Sequence, residues 1–345
     1  MTDFFELDLD AQAERMEQLA RKTLPAWGLD GADLQLIKYR ENAVFKLVKP
    51  DGTPYALRVH RGGYHSDAAL RSELQWMAAL DEAGIHVPKL VAALDGESFI
   101  VGSIEGVPGP HQIDLFEWVE GSQLGSVEEG ISDPEAIAET YHTIGSLAAR
   151  LHNQATAWTP PEGFVRHAWD AEGLVGKEPF WGPFWELELL TDEQAALMIS
   201  ARDRVYADLE AYASMPGNEQ RYSMIHADFV VENLMVEGDG VRLIDFDDAG
   251  FGWHLFELAT AVYFEMEQDY YLAAWNALVE GYRLHRELPD SQLQFMPLFL
   301  LARGFTYLGW VHTRSETETA KELAPVLIEK ACGLARSYLT GENIP

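Results

Sequence analysis

The feature that most limits how this chain can fold is a change of pattern near residue 120. Before it, short runs of β-branched and aromatic residues recur between turn compositions; beyond it, apolar residues fall largely at helical spacing. Residues 33–60, DLQLIKYRENAVFKLVKPDGTPYALRVH, hold three such runs parted by ENA and PDGTP, which predicts three antiparallel strands. Side chains alternate along a strand, so Ala56, Arg58 and His60 share one face of the third and Leu57 and Val59 the other. A helix at about 10–22 precedes the strands. Another follows over SDAALRSELQWMAALDEAG, with Ser66 or Asp67 as N-cap and Gly84 at its end. Two more strands are predicted near 97–102 and 111–119.

Past EWVEGS, a helix over PEAIAETYHTIGSLAARLHNQ carries Ile137, Tyr141, Ile144, Ala148 and Leu151 on one stripe. Further helices are predicted at about 192–213, 254–264, 269–284, 291–311 and 318–339. With 345 residues, more than one ordinary core is expected. The pattern divides the chain into a small β-rich part, 1–118, and a larger, mainly helical part, 119–345, an α+β arrangement in which ligands often sit between the two parts.

Charge and cysteine content narrow the function. Asp plus Glu number 56 against 25 Lys plus Arg, a formal net charge of -31, which disfavours nucleic acid and anionic membrane surfaces and suits neutral or cationic partners. Cys332 is the single cysteine, so an internal disulfide and a cysteine metal cluster are excluded and a reducing cytoplasm is the expected setting. MTDFFELDLDAQAERM lacks the basic start and apolar stretch of an export signal. FMPLFLLARGFTYLGW, 295–310, is interrupted by Pro297, Arg303 and two glycines, and reads as a buried helix.

IHADFVVENLMVEGDGVRLIDFDDA, residues 225–249, sets a His, an Asn and several Asp among apolar runs, and polar groups so costly to bury usually have a task. The spacing predicts a loop bearing Asp228, a hairpin turned at Gly-Asp-Gly, and Asp245 at its exit. Oxygens of Asn233 and Asp245 suit Mg2+, a hard cation that completes its shell with water and phosphate. Asp228 would then be a carboxylate placed to accept a proton, the constellation for phosphoryl transfer from ATP.

These residues carry a resemblance. His226-Ala-Asp228-x-x-x-x-Asn233 followed by Ile244-Asp245-Phe246-Asp247 resembles the catalytic loop and metal-binding Asp of the aminoglycoside phosphotransferase and choline kinase-like family, relatives of protein kinases. The order of strands, helix, hinge and catalytic loop extends it over about 33–270. The resemblance implies a protein-kinase-like two-lobe fold with a nucleotide-binding N-terminal lobe. It also implies that Arg58 stands where the family has the Lys for the ATP phosphates, a departure that keeps the charge. Glu73 matches the acid that steadies that cation, and Asn42 lies either over the phosphates or simply in a hairpin. The Glu117 carbonyl and Val119 amide match the hinge that meets adenine. His226 corresponds to a bracing residue, Ala227 stands where Gly is usual, and Glu257 takes the place of a supporting Asp. Asp247 touches a second metal shell or a cationic substrate, or serves in a turn or cap like Asp248.

The function implied is an ATP- and Mg2+-dependent phosphotransferase acting on a hydroxyl of a small molecule, with the acidic composition pointing to an amine-bearing acceptor such as an amino alcohol, amino acid or aminoglycoside. Alternatives are a Ser/Thr protein kinase of the bacterial stress-response type, a homoserine kinase-like enzyme, and a nucleotide-binding pseudokinase, the last motivated by Arg58. EPFWGPFWELELL, 178–190, is either a lid or substrate wall or an aromatic packing segment.

Overall fold

The computed structural model describes residues 4–40, 42–125, 134–237, 240–342 and 344. They form two compact units, the first running to Ser122 with Pro160–Val165 and Met235–Ile244, the second comprising Gln123–Thr159, Arg166–Leu234 and the chain from Asp245 onward.

The first unit begins with α1 (Leu9–Thr23), capped by Asp8 accepting from the Ala11 N–H. Strands β1 (Asp33–Tyr39), β2 (Ala43–Val48), β3 (Pro54–Val59), β4 (Ile100–Gly102) and β5 (His111–Glu117) make one antiparallel sheet in the order β1-β2-β3-β5-β4. Alternation along the strands sorts its two faces. Phe45, Leu47, Leu57, Val59, Ile113 and Leu115 join Met16, Leu19 and Ala20 of α1 in a single core. Residues of opposite parity, among them Lys46, Ala56, Arg58 and Asp114, therefore project from the other face. Helix α2 (Asp67–Glu82) takes Ser66 rather than Asp67 as N-cap, and Gly84 ends it at φ +78°. The unit's first segment ends at the two-residue strand β6 (Ser122–Gln123), and the unit also receives the hairpin of β9 (Leu234–Glu237) with β10 (Gly240–Leu243), whose turn residues Gly238 and Asp239 lie outside the described residues.

The second unit is mostly helical: α3 (Pro134–Ala157), α4 (Ala171–Val175), α5 (Asp192–Ala213), α6 (His254–Val262), α7 (Tyr271–Arg283), α8 (Asp290–Leu293), α9 (Met296–Thr313) and α10 (Glu318–Thr340). Helices α3 and α7 approach closely because Gly145 and Gly281 lack side chains. A Cβ at either position would fall about 2 Å from a carbonyl of the other helix. Three short strands, β7 (Ala168–Trp169), β8 (Tyr222–Ile225) and β11 (Gly250–Trp253), form a sheet with β11 between the others. At two to four residues each they are too short for a period-2 signal, and the sequence pattern missed them. The single helix expected over 291–311 is instead α8 followed by α9, since Pro297 in the first turn of α9 lacks an N–H and suits a helix start. Among the described residues no helix is long and apolar enough to cross a membrane.

Candidate active site

In the first unit, Arg58 on β3 lies directly across from Asp114 on β5. Arg58 Nε donates to Asp114 Oδ1 at 3.2 Å and Nη2 to Oδ2 at 2.8 Å, while Nη2 also donates to Glu73 Oε1 at 2.8 Å. His60 places Nε2 2.8 Å from Asp114 Oδ2. All four side chains are buried. Burial works against ionisation of Asp114, but the charges and hydrogen bonds of Arg58 and His60 outweigh it and hold its pKa at about 2. The structure thus brings Arg58 and Glu73 together and adds Asp114, which sequence reasoning missed. Its signal is an acid set between Ile113 and Leu115.

Asn42 Oδ1 accepts from the Arg61 N–H at 2.9 Å, tying the β1–β2 turn to the chain beyond β3. Glu117 ends β5 with its N–H donating to the Lys89 carbonyl at 2.8 Å, and Val119 follows in the loop. Trp118, between them, has Lys46 Nζ 4.2 Å from its ring centroid.

In the second unit, β8 leads into the loop of Asp228. Ala227 and Asp245 are the two non-glycine residues at positive φ among the described residues, both at 64°. This left-handed conformation costs an L-residue about 1–2 kcal/mol and persists only where its surroundings impose it. Around Ala227 they do: the Glu257 carboxylate accepts from the N–H groups of His226 at 3.1 Å and Ala227 at 2.7 Å, and Arg303 Nη1 donates to the Ala227 carbonyl at 3.1 Å. Both backbone dipoles of Ala227 are therefore pinned, and Asp228 is aimed by its predecessor.

The Asp228 carboxylate is held at both oxygens. Oδ1 accepts from Arg303 Nη2 at 3.0 Å and Oδ2 from Asn233 Nδ2 at 2.9 Å, with Nδ2 also reaching the Asp228 carbonyl at 2.8 Å. Its side chain keeps 29% exposure, whereas Arg303 is wholly buried. The guanidinium carbon of Arg303 lies 4.1, 5.2 and 5.6 Å from the ring centroids of Tyr307, Trp181 and Phe256, and the Tyr307 hydroxyl accepts from Nη2 at 2.9 Å. Burial alone would lower the pKa of Arg303; Tyr307 and Asp228 raise it beyond that loss. Trp181 and Phe184 of the aromatic stretch are buried packing residues, Phe184 stacking on Phe305.

His226 is fully buried, its ring edge-on to Phe246 at 4.7 Å, and its Nδ1 accepts from the Asp228 N–H at 3.3 Å. That ring contact sets the segment of Asp245 beside the Asp228 loop. Asp245 itself is exposed. Arg166 fixes the residues after it, donating through Nε to the Ala249 carbonyl at 2.5 Å and through Nη2 to the Asp247 carbonyl at 2.6 Å. The backbone of Asp248 accepts from His167 Nε2 and Trp169 Nε1, each at 3.0 Å. Asp247 is buried.

Glu257 is supported in turn by His152, whose Nε2 lies 3.5 Å from Oε1 and whose Nδ1 is 2.8 Å from the Tyr282 hydroxyl. Burial favours the neutral form of both groups. His152 yields to it and its pKa falls, while in Glu257 the His152 contact, and after it the His226 ring and backbone N–H, prevail and hold the pKa below the ordinary carboxylate value. His254 stacks on His152 at 3.9 Å and is also pushed well down by burial. Arg303, Arg166 and His152 escaped sequence reasoning. Arg303 had left the clearest mark, as the lone charge in the apolar run at 295–310.

The chain matches the model of the phosphotransferase enzyme family over residues 34–288. It is 21% identical over 321 residues to amicoumacin kinase from Bacillus subtilis (strain 168), spanning 89% of this chain and 88% of that one. Among solved structures it is similar to a microcompartment-associated aminopropanol kinase, with 32% identity, a TM-score of 0.80 and coverage of 94% of this chain and 98% of the other. An amicoumacin kinase in complex with AMP-PNP, Ca2+ and Ami shares the fold at 18% identity and a TM-score of 0.74, over 95% and 96% of the two chains. The family match, the kinase-like α+β fold and the kinase relatives agree: this chain belongs to the phosphotransferase enzyme family, as a kinase of small-molecule hydroxyl groups.

Proposed function

We propose that the chain transfers the γ-phosphate of ATP, with Mg2+, to the hydroxyl of a small amino alcohol. The observation that carries this reading is the seating of Asp228, one oxygen on Arg303 and the other on Asn233 with the group still partly exposed. A carboxylate so oriented can take the acceptor's hydroxyl proton, a role contributing roughly 10² to 10⁴ in rate. As that proton moves to Asp228, the acceptor oxygen bonds to the γ-phosphorus and the bond from phosphorus to ADP breaks.

The donor set fits the cation. Asn233 turns Nδ2 toward Asp228, which leaves Oδ1 as its ligand atom, and Asp245 offers an exposed carboxylate. Hard oxygen donors in small number suit Mg2+ better than a thiophilic metal. When bound, the ion neutralises phosphate charge. We assign Asp247 to its outer shell or to the acceptor's amine, and His226 and Glu257 to bracing the loop. Arg58, steadied by Glu73, is assigned to the nucleotide phosphates together with Asn42, and the Glu117 carbonyl and Val119 amide to the adenine edge.

The acceptor class follows from the likeness to the aminopropanol kinase at 32% identity over 94% of this chain, and from a net charge of -31 that favours a cationic amine. A single cysteine, Cys332, buried, fits a reducing cytoplasm. The test is ADP release from Mg·ATP across amino alcohols including aminopropanol, homoserine and aminoglycosides, with a parallel labelled-ATP assay on proteins. The highest kcat/KM is expected for an amino alcohol. Turnover confined to another acceptor class, or label entering protein, would overturn the assignment.

A further inference from the structure

We propose that Asp114 is a positioning residue for the phosphate-binding cation, forming with Glu73 a two-carboxylate clamp that makes position 58 specific for arginine. The inference rests on the reading of Arg58 as the group that meets the nucleotide phosphates. Three observations carry it. Asp114 stands directly across the sheet from Arg58, so the pairing is fixed by backbone register and not by a flexible reach. The contact is forked, Nε to Oδ1 and Nη2 to Oδ2, a geometry that a planar guanidinium provides and a single ammonium nitrogen does not. Glu73 then takes Nη2 from α2, so one side chain joins strand, strand and helix.

The surroundings argue that Asp114 is more than a balancing charge. Arg58 has 10% side-chain exposure, while Asp114 and Glu73 have none. Two buried carboxylates around one guanidinium leave an excess negative charge, which burial makes costly without a further donor. His60 supplies that donor at 2.8 Å from Asp114 Oδ2. His60 is itself fixed, because its carbonyl accepts from His111 Nδ1 at 2.7 Å. The clamp therefore has an outer brace, and it sets the guanidinium's plane as well as its place. A lysine at 58 would keep the charge but could not serve both Asp114 oxygens in this geometry.

The test uses the full-length chain and calorimetric titration with two probes, Mg·ATP and adenosine, the second lacking phosphates. Asp114→Asn is expected to weaken Mg·ATP binding about tenfold while leaving adenosine binding within about twofold, since one ionic partner of the guanidinium is lost and the adenine contacts are untouched. Arg58→Lys is expected to weaken Mg·ATP binding by itself, and Arg58→Lys combined with Asp114→Asn to weaken it by less than the product of the two single effects. Unchanged Mg·ATP affinity in Asp114→Asn, equal weakening of both probes, or strictly multiplicative effects would each overturn the clamp. Should Asp114→Asn fail to fold, the lysine series decides it through Arg58→Lys alone, which the clamp requires to bind Mg·ATP more weakly than the parent. Arg58→Met separates the underlying reading: if it binds Mg·ATP as the parent does, position 58 does not meet phosphate and both ideas fall together.

Discussion

Arg303 Nη2 and Asp228 Oδ1 lie 3.0 Å apart although 75 residues separate them in sequence. The cation comes from a helix that is mainly apolar and nearly all buried, and three aromatic rings surround it. It also holds the Ala227 carbonyl, so a single side chain fixes both the base and the peptide preceding it.

This arrangement gives Arg303 a measurable share of the chemistry. Arg303→Met leaves the Asp228 carboxylate with Asn233 as its remaining described hydrogen-bond partner and removes the Arg303 donor from the Ala227 carbonyl. We expect turnover to fall on the order of 10²-fold, as for a modest displacement of a reacting group, with Mg·ATP affinity little changed. Arg303→Lys keeps the charge but one nitrogen must replace two, so partial recovery is expected. Steady-state ADP release and nucleotide titration together check both statements.

Asp228 and Asp245 should separate in their effects. Asp228→Asn removes the proton acceptor while retaining volume, and should abolish turnover with Mg·ATP binding nearly intact. Asp245→Asn removes a proposed ligand of the ion and should weaken Mg·ATP binding as well. Nucleotide titration with and without Mg2+ is the measurement. Turnover near the parent level in Asp228→Asn would remove the assigned base.

Ala227 invites a backbone test. At φ 64° the left-handed penalty of about 1–2 kcal/mol for alanine is offset, on replacement by glycine, by the greater freedom of the unfolded chain, about 0.4–1 kcal/mol. Ala227→Gly should therefore change stability by about 1 kcal/mol or less and preserve activity. Ala227→Val puts a β-branched residue into the same conformation within a fully buried site. We expect a loss of more than about 2 kcal/mol and little turnover, read by denaturant unfolding beside the assay.

Much of the molecule was legible because its signals are local. The alternation that set Leu57 and Val59 against Arg58 is the alternation that separates the core from the polar face of the sheet. Asp228 and Asn233, five residues apart on one loop, meet as local spacing allowed. What stayed hidden comes from sequence-distant elements: Arg303 from α9, Asp114 from β5, His152 from α3 and Arg166 from the chain before β7. No periodicity links an arginine on a helix to a loop 75 positions earlier. Those partners leave one physical mark, a charge placed in an apolar segment, as Arg303 is within 295–310. A buried arginine needs an anion or carbonyls close by, and that requirement was a pointer to the site.

The buried histidines set the pH dependence of stability. Burial depresses His152 and, more strongly, His254 below the ordinary histidine value, with Glu257, Tyr282 and Ser223 as their polar neighbours. In the unfolded chain both titrate near about 6.5. As pH falls through that value the unfolded state binds protons that the folded state refuses, so stability is full above about pH 7 and declines below it. Each histidine contributes up to about 1.4 kcal/mol per pH unit until its own folded pKa is reached. The depressed carboxylates act in a lower window: Asp114, held at about 2, and Glu257 contribute stability above about pH 4 that is lost as pH drops further. Urea unfolding between pH 8 and roughly 5 should show the first decline, with a slope of up to two protons. His254→Gln removes one titrating ring and should reduce that slope by about one proton, whatever it does to the stability at pH 8. A slope unaltered by the substitution would mean that His254 takes up its proton in the fold as readily as in the unfolded chain, and its stacking on His152 at 3.9 Å would then need a counter-charge in contact with it.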